Sequence, residues 1–323
     1  MCSVVCLTHN HAEFCETSLV SIFEQEYRNI EIIVVDDGST DGTKSIVSQT
    51  LGKSPFKTQL ICQKNTGNVG LNLNRAIERA TGEFITILSL DDVLYPNSIS
   101  SKSPYFKANE NMVFVTNSYI EEIDQFGRSI RKLKTIRSDR KSPTNADELL
   151  EMEFEGTSTF FLQGTVFRKC YIDEIGGFET GMIGDDLILR TKLFYHMKDR
   201  PNLEFLFLDQ SGFGYRKHSN NLHLNYWRQV RAVDQWHLRF FSSREMSNSA
   251  KLRIRRAQIN SIKNGRFDEL ESAKNISNNV SEIMNELTVV DYSRYYLKYL
   301  RTKSQLRFMR LLKWLIGNNP DVR

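Results

Sequence analysis

From Ser3 to Asp92 short β-branched apolar runs alternate with amphipathic stretches, and this beat limits the chain to an α/β fold. Ser3 to Leu7 is apolar, an amphipathic stretch follows from about Ala12 to Gln25, and Ile30 to Val35 is too short and too β-branched for a helix. The polar turn Asp36 to Thr43 leads into a helix over about 44–50. The pattern then repeats as a strand over 59–63, a helix over 71–80 and a strand over 83–88 that ends on Asp91-Asp92. Strands joined by helices imply right-handed crossovers and a mostly parallel sheet with helices on both faces.

In such sheets ligands gather at the carboxyl ends of the strands. The alternation therefore brings Thr8 to Asn10, Asp36 to Asp41, Asn65 to Gly70 and Ser89 to Asp92 to one edge. No GxGxxG follows the first strand, so a dinucleotide fingerprint is absent and acidic and hydroxyl side chains take its place.

Beyond residue 100 the pattern is less regular. It predicts strands over 112–120, 160–167 and 205–208, a charged hairpin or loop over 124–140, and helices over 145–153, 170–175 and 185–196. Residues 215–221 read as a polar loop. After about Leu224 helical periodicity dominates, which divides the chain into an α/β domain over 1–225 and a mainly helical extension over 226–323.

The 323 residues carry a formal charge of only +4, which supplies no global field for nucleic acid. Five cysteines without a CxxC pair argue against a disulfide framework or zinc site. No leader or transmembrane segment is evident, so the expectation is a cytoplasmic protein. Between Asp291 and Lys313, however, seven basic residues face one acidic residue among tyrosines and leucines. A break is expected near Thr302 to Ser304. The segment 291–316 reads either as a solvated face packed on the main domain, as peripheral contact with the inner face of an anionic membrane, or as part of a helical pair joining two copies of the chain.

Four polar clusters carry the candidate chemistry. Asp36-Asp37 after a buried strand serves either turn formation or recognition of a base or ribose. Ser89-Leu90-Asp91-Asp92 sets adjacent carboxylates at a strand end, a cost that a bound cation offsets. Mg²⁺ or Mn²⁺ suits such oxygens, with substrate phosphates completing the shell. Gly184-Asp185-Asp186 opens a helix, where a carboxylate is either a cap or an ionised general base. His218, beside Arg216 and Lys217, is either structural, an ion ligand or a phosphate neighbour. Asn65, Gly67 and Gly70 form a further polar loop, read either as a helix entry or as part of the site.

Together these residues resemble family 2 glycosyltransferases of the GT-A, Rossmann-like fold over roughly residues 3–221. The run Ser21 to Thr43, SIFEQEYRNIEIIVVDDGSTDGT, is similar to that family's signature almost letter for letter. Thr8-His9-Asn10, Ala80 to Ile85, Gly176-Gly177-Phe178 and Tyr215 to Asn220 add to the likeness. The resemblance implies an inverting, metal-dependent transferase that moves a sugar from a nucleotide-diphosphate donor, a UDP-sugar being favoured, to a glycan or lipid-linked acceptor in cell-surface polysaccharide synthesis. It places Thr8, Asn10, Asp36, Asp37, Asn65, Gly67, Ser89 and Leu90 at the donor, Asp91 and His218 on the metal, and Asp185 as base with Asp186 as runner-up. Ser89 stands where the family's DxD motif has its first Asp, and Asp185 where the usual pair reads Glu-Asp. A non-catalytic nucleotide-sugar-binding scaffold and a sugar-phosphate nucleotidyltransferase are the competing readings; the latter lacks its Gly-rich phosphate loop.

Overall fold

The computed structural model describes residues 1–135, 142–156, 160–219, 221 and 224–286, with Asp185 described by its backbone alone. They fall into two compact units, Met1–Asn221 and Leu222–Arg323.

The first unit is built on a mixed sheet. Its first half consists of β1 (Cys2–Thr8), β2 (Ile30–Asp36), β3 (Lys57–Cys62) and β4 (Phe84–Ser89), ordered β3-β2-β1-β4 and parallel throughout. Between them run α1 (Cys15–Phe23), α2 (Thr43–Leu51) and α3 (Val69–Arg79). Every residue of β2 is buried, as are Val4, Val5, Ile85 and Ile87 on neighbouring strands. A parallel sheet covered on both faces demands such continuous apolar runs. Each buried Val or Ile contributes roughly 1.5–3 kcal/mol of transfer free energy.

The second half comprises β5 (Val93–Leu94), α4 (Ser103–Ala108), β6 (Met112–Ile123), β7 (Ser129–Lys134), α5 (Ala146–Phe154), β8 (Val166–Arg168), α6 (Lys169–Glu174), α7 (Asp185–Lys198) and β9 (Glu204–Arg216). β8 joins β4 to β6 by antiparallel pairing, β6 runs parallel to β9, and β7 forms a hairpin with β6. The charged segment expected as hairpin or loop is thus a hairpin as far as Thr135; residues 136–141 lie outside the described residues.

Two expectations need correction. The strand expected over 160–167 shrinks to Val166–Arg168, because Gly164 turns the chain with φ +69° and the Thr165 N–H donates to Leu162 O at 3.1 Å. Phe160 and Leu162 are buried as core residues instead, with the Phe160 ring 4.7 Å from that of Phe114. Conversely, β9 runs on to Arg216 and takes Tyr215 and Arg216 out of the expected loop, since both pair with β6 while Gly214 pairs with Val93.

Lys102, just before α4, is fully buried, and its Nζ donates to Ser98 O at 2.5 Å. Burial lowers its pKa from 10.5 to about 7.

The second unit contains α8 (Tyr226–Phe240), α9 (Asn248–Asn264), α10 (Phe267–Lys274) and α11 (Asn278–Asn285). Asn225, Ser247 and Ser277 cap α8, α9 and α11 by accepting from backbone N–H groups. Val230, Ile254, Leu270, Val280 and Ile283 meet in its core. The basic stretch 291–316 and the expected break near residues 302–304 lie outside the described residues.

Candidate active site

Strand register sets the site. Thr8 stands opposite Asp36, Asp36 opposite Cys62, and Leu7 opposite Ser89, so four parallel strands end at one level. The order reverses at β1, whose neighbours are β2 on one side and β4 on the other; loops leaving such a switch point diverge and open a crevice between them.

The loops after β1, β2 and β3 tie together. Asn10, with φ +56°, accepts the Thr40 N–H on Oδ1 at 2.8 Å and donates its own N–H to Ser39 Oγ at 2.9 Å. Asp36 accepts from Ser39 N at 3.1 Å and from Ser39 Oγ at 2.5 Å. Thr8 is buried, and its Oγ1 has no hydrogen-bond partner among the described residues. Asp37 is engaged in joining loops: its carboxylate accepts from Gln63 Nε2 and Thr66 N, each at 2.8 Å, and from Gly67 N at 3.2 Å. Burial opposes its ionisation, yet the bonds from Gln63 and Thr66 prevail and lower its pKa. Asn65 Oδ1 accepts the Gly67 N–H at 2.7 Å, and Asn65 Nδ2 lies 3.3 Å from His9 Nε2.

After β4 the side chains separate by environment. Leu90 is in the core, with its N–H on Leu7 O at 2.9 Å. Asp92 is buried and accepts the Arg216 N–H at 2.8 Å; burial and the neighbouring Asp91 charge push its pKa well up. Asp91 behaves oppositely. Burial again opposes ionisation, but the hydrogen bond with His218, the His11 charge and a bond from Ser89 lower its pKa to about 2. Its Oδ2 lies 3.1 Å from His218 Nε2 and 3.8 Å from His11 Nε2, while its Oδ1 has no partner among the described residues.

His218 is placed by a neighbour. Asn221 Oδ1 accepts the His218 N–H at 2.8 Å, and Asn221 Nδ2 donates to Arg216 O at 3.2 Å and lies 3.0 Å from His218 Nε2. Arg216 Nε donates to Asp91 O at 2.7 Å, and its guanidinium lies over the Phe14 ring at 5.1 Å. The fold thus brings Asp91 and His218 into contact. Sequence reasoning missed His11; its one signal was a place on the loop after β1.

Asp185 is the first residue of α7, after Gly184 with φ +97°; its side chain lies outside the described residues. Asp186 Oδ2 lies 3.7 Å from Arg190 Nη1, and Arg190 is itself buried against Glu153 at 2.7 Å. The Tyr215 hydroxyl is raised in pKa by burial and by the charges of Asp92, Asp91 and Asp186. Among the described residues no three His, Cys, Asp or Glu side chains form a ready-made metal cage. An oxygen-bound cation that shares its shell with phosphates needs only one or two protein carboxylates.

A family model described as glycosyl transferase family 2 matches residues 3–176. The uncharacterized glycosyltransferase alr2836 of Nostoc sp. is 30% identical over 133 residues, 41% of this chain and 40% of that relative's length. The GalNAc(5)-diNAcBac-PP-undecaprenol beta-1,3-glucosyltransferase of Campylobacter jejuni is 29% identical over 239 residues, 72% of this chain and 74% of that enzyme. Among solved structures, the mannosyltransferase PcManGT of Pyrobaculum calidifontis, in complex with GDP-Man and Mn²⁺, matches 99% of this chain and 81% of its own. Its TM-score is 0.56 at 16% identity, a likeness of fold.

Proposed function

The chain belongs to glycosyl transferase family 2 and has the GT-A fold, and on that premise we propose an inverting, metal-dependent transfer from a nucleoside-diphosphate sugar to an acceptor hydroxyl. The observation that carries this reading is the alignment of Thr8, Asp36 and Ser89 at adjacent strand ends, with an ionised Asp91 against His218 just beyond.

Thr8 and Asp36 face the nucleoside in this reading, with Asn10, Asn65 and Gly67 shaping the loops around it and Asp37 holding those loops closed. Asp91 and His218 hold Mg²⁺ or Mn²⁺; the unpartnered, buried Asp91 Oδ1 and the carboxylate-imidazole donor set fit such an ion. When bound, the cation offsets the charge of the diphosphate leaving group. Ser89, which helps to lower the Asp91 pKa, stands where the family motif has a second carboxylate. Asp185 accepts the proton from the attacking hydroxyl, fixed by its place at the start of α7, and Asp186 is the alternative base.

The catalytic domain is assigned to 1–225 and the helical extension to 226–323. The printed name of the Campylobacter relative points to an undecaprenol-linked acceptor. By that analogy the acceptor here is a lipid-linked or cell-surface glycan, approached at the inner face of the membrane with 291–316 as the contact. Among the described residues no helix is long and apolar enough to cross a membrane.

A panel of nucleotide sugars, scored by hydrolysis and by thermal shift with and without Mn²⁺, tests the reading. One donor should be hydrolysed and should stabilise the protein more with the ion. Asp185→Asn should then lower transfer by about 100-fold or more with donor binding retained. Full transfer by that variant would move the base to Asp186, and no metal-enhanced binding of any donor would overturn the metal-dependent mechanism.

A further inference from the structure

Resting on the donor reading of the loops after β1, β2 and β3, we propose that His9 is a positioning residue for the nucleotide: as a neutral imidazole with its proton on Nδ1 it locks the three loops together, and its protonation releases them. The observation that carries this is a set of hydrogen bonds that admits one form of the ring. His9 Nδ1 lies 2.9 Å from Asp37 O, an atom that can only accept, so Nδ1 bears the proton. His9 Nε2 lies 3.2 Å from Asn10 Nδ2 and 3.3 Å from Asn65 Nδ2. Backbone N–H groups orient both amides, since Asn10 Oδ1 accepts from Thr40 N at 2.8 Å and Asn65 Oδ1 from Gly67 N at 2.7 Å. Each amide therefore turns its NH₂ group to His9, and Nε2 must be bare to accept from both.

One ring thus joins segments that lie up to 56 residues apart in the chain. Gly38 lets the second and third loops meet: it has φ +74°, and a Cβ there would collide with Asn65 N. Asn10, Asn65 and Gly67, which shape the nucleoside loops in the proposed function, are fastened to His9 directly or through one further bond. The His9 ring is exposed, so solvent can protonate it.

A proton on Nε2 turns the acceptor into a donor that faces two NH₂ groups, and both bonds are lost. No carboxylate among the described residues is turned to compensate. On the second loop Asp36 accepts from Ser39, Asp37 from Gln63, Thr66 and Gly67, and Asp41 from Ala12 and Thr43. The first loop adds His11 and Glu13 and the third adds Lys64, none of which bonds to the His9 ring; the charges of His9 and His11 repel each other.

The first test is a long-range ¹H–¹⁵N spectrum of the full chain labelled at histidine, at pH 7.5, with the His9 signals assigned by their loss in His9→Gln and His9→Asn. The proton should sit on Nδ1; a proton on Nε2 would overturn the proposal. The second is binding of UDP and of GDP, each with Mn²⁺, at pH 7.5 and at pH 5.5. In His9→Gln, Oε1 replaces Nε2 with an acceptor that takes up no proton, whereas His9→Asn keeps only a donor in place of Nδ1. On acidification the parent should lose about tenfold more affinity than His9→Gln, because protonation of the nucleotide and of the carboxylates is common to both. At pH 7.5 His9→Gln should bind more tightly than His9→Asn, with circular dichroism unchanged in both. Equal losses in the parent and in His9→Gln, with nucleotide still bound at pH 7.5, would overturn the His9 role and keep the donor reading. Absence of binding of both nucleotides to the parent at either pH would overturn both.

Discussion

Asn74 clasps the backbone of Phe178: its Oδ1 accepts the Phe178 N–H and its Nδ2 donates to the Phe178 carbonyl, both at 2.8 Å. The clasp fastens the loop ahead of α7 to α3, so the helix that begins with Asp185 is tied to an element that follows directly on the loop bonded to Asp37. Gly177 makes this approach feasible. It has φ +61°, and a Cβ there would lie 2.5 Å from Asn74 Oδ1.

Gly177→Ala should therefore lower stability by about 1–3 kcal/mol and disturb α7. Urea unfolding should show the loss, and the transfer rate should fall more than donor affinity. Equal stability of the variant and the parent chain would remove the clasp from the account.

The buried pair of Arg190 and Glu153 joins α7 to α5, with Arg190 Nη2 2.7 Å from Glu153 Oε1. Removing one partner strands a buried charge, so Glu153→Leu should cost about 3–5 kcal/mol. The double replacement Glu153→Leu, Arg190→Met should recover a large part of that loss in the same urea measurement.

Lys102 gives the chain a pH dependence. Its folded pKa of about 7 lies below the ordinary 10.5, so between these values the unfolded chain holds a proton that the folded chain has released. Stability should then rise with pH from 7 upward, and below 7 the cost of charging the buried amine is present in full, up to about 5 kcal/mol at 1.36 kcal/mol per pKa unit. Lys102→Met should be more stable than the parent at pH 6, and the difference should narrow by pH 8.5. A constant difference across that range would show that burial of Lys102 does not govern it.

Asn221 anchors the loop that carries His218. Asn221→Ala should weaken Mn²⁺ binding by about 10-fold to 100-fold, as loss of a supporting hydrogen bond does, while circular dichroism stays unchanged. Unaltered affinity would show that Asn221 does not position the imidazole.

The parallel half of the sheet was legible because strands covered on both faces must be apolar along their whole length, as in Ile30 to Val35. The same rule misled at Phe160 to Phe167, where buried aromatic residues fill the core without strand pairing. It failed in the opposite sense at β9, whose Gly212 and Gly214 resemble loop residues although the ladder to β6 extends past both. The acidic strand ends were readable from their positions. The division of labour among them was not, since Asp37 bonds to Thr66 and Gln63 while Asp91 meets His218, partners remote in the chain that only folding brings close. His11 was hidden for the same reason.

The central position of β1 also bears on how the chain is made. β1, made before both of its neighbours, becomes an interior strand, with β2 along one side and β4 along the other. Until Ser89 has emerged, Val4 to Cys6 keep an apolar strand with an open edge, a template for pairing with other chains. Nascent chains stalled before Phe84 should thus be substrates for chaperones, whereas those that have passed Ser89 can complete the parallel half before the remaining strands are synthesised.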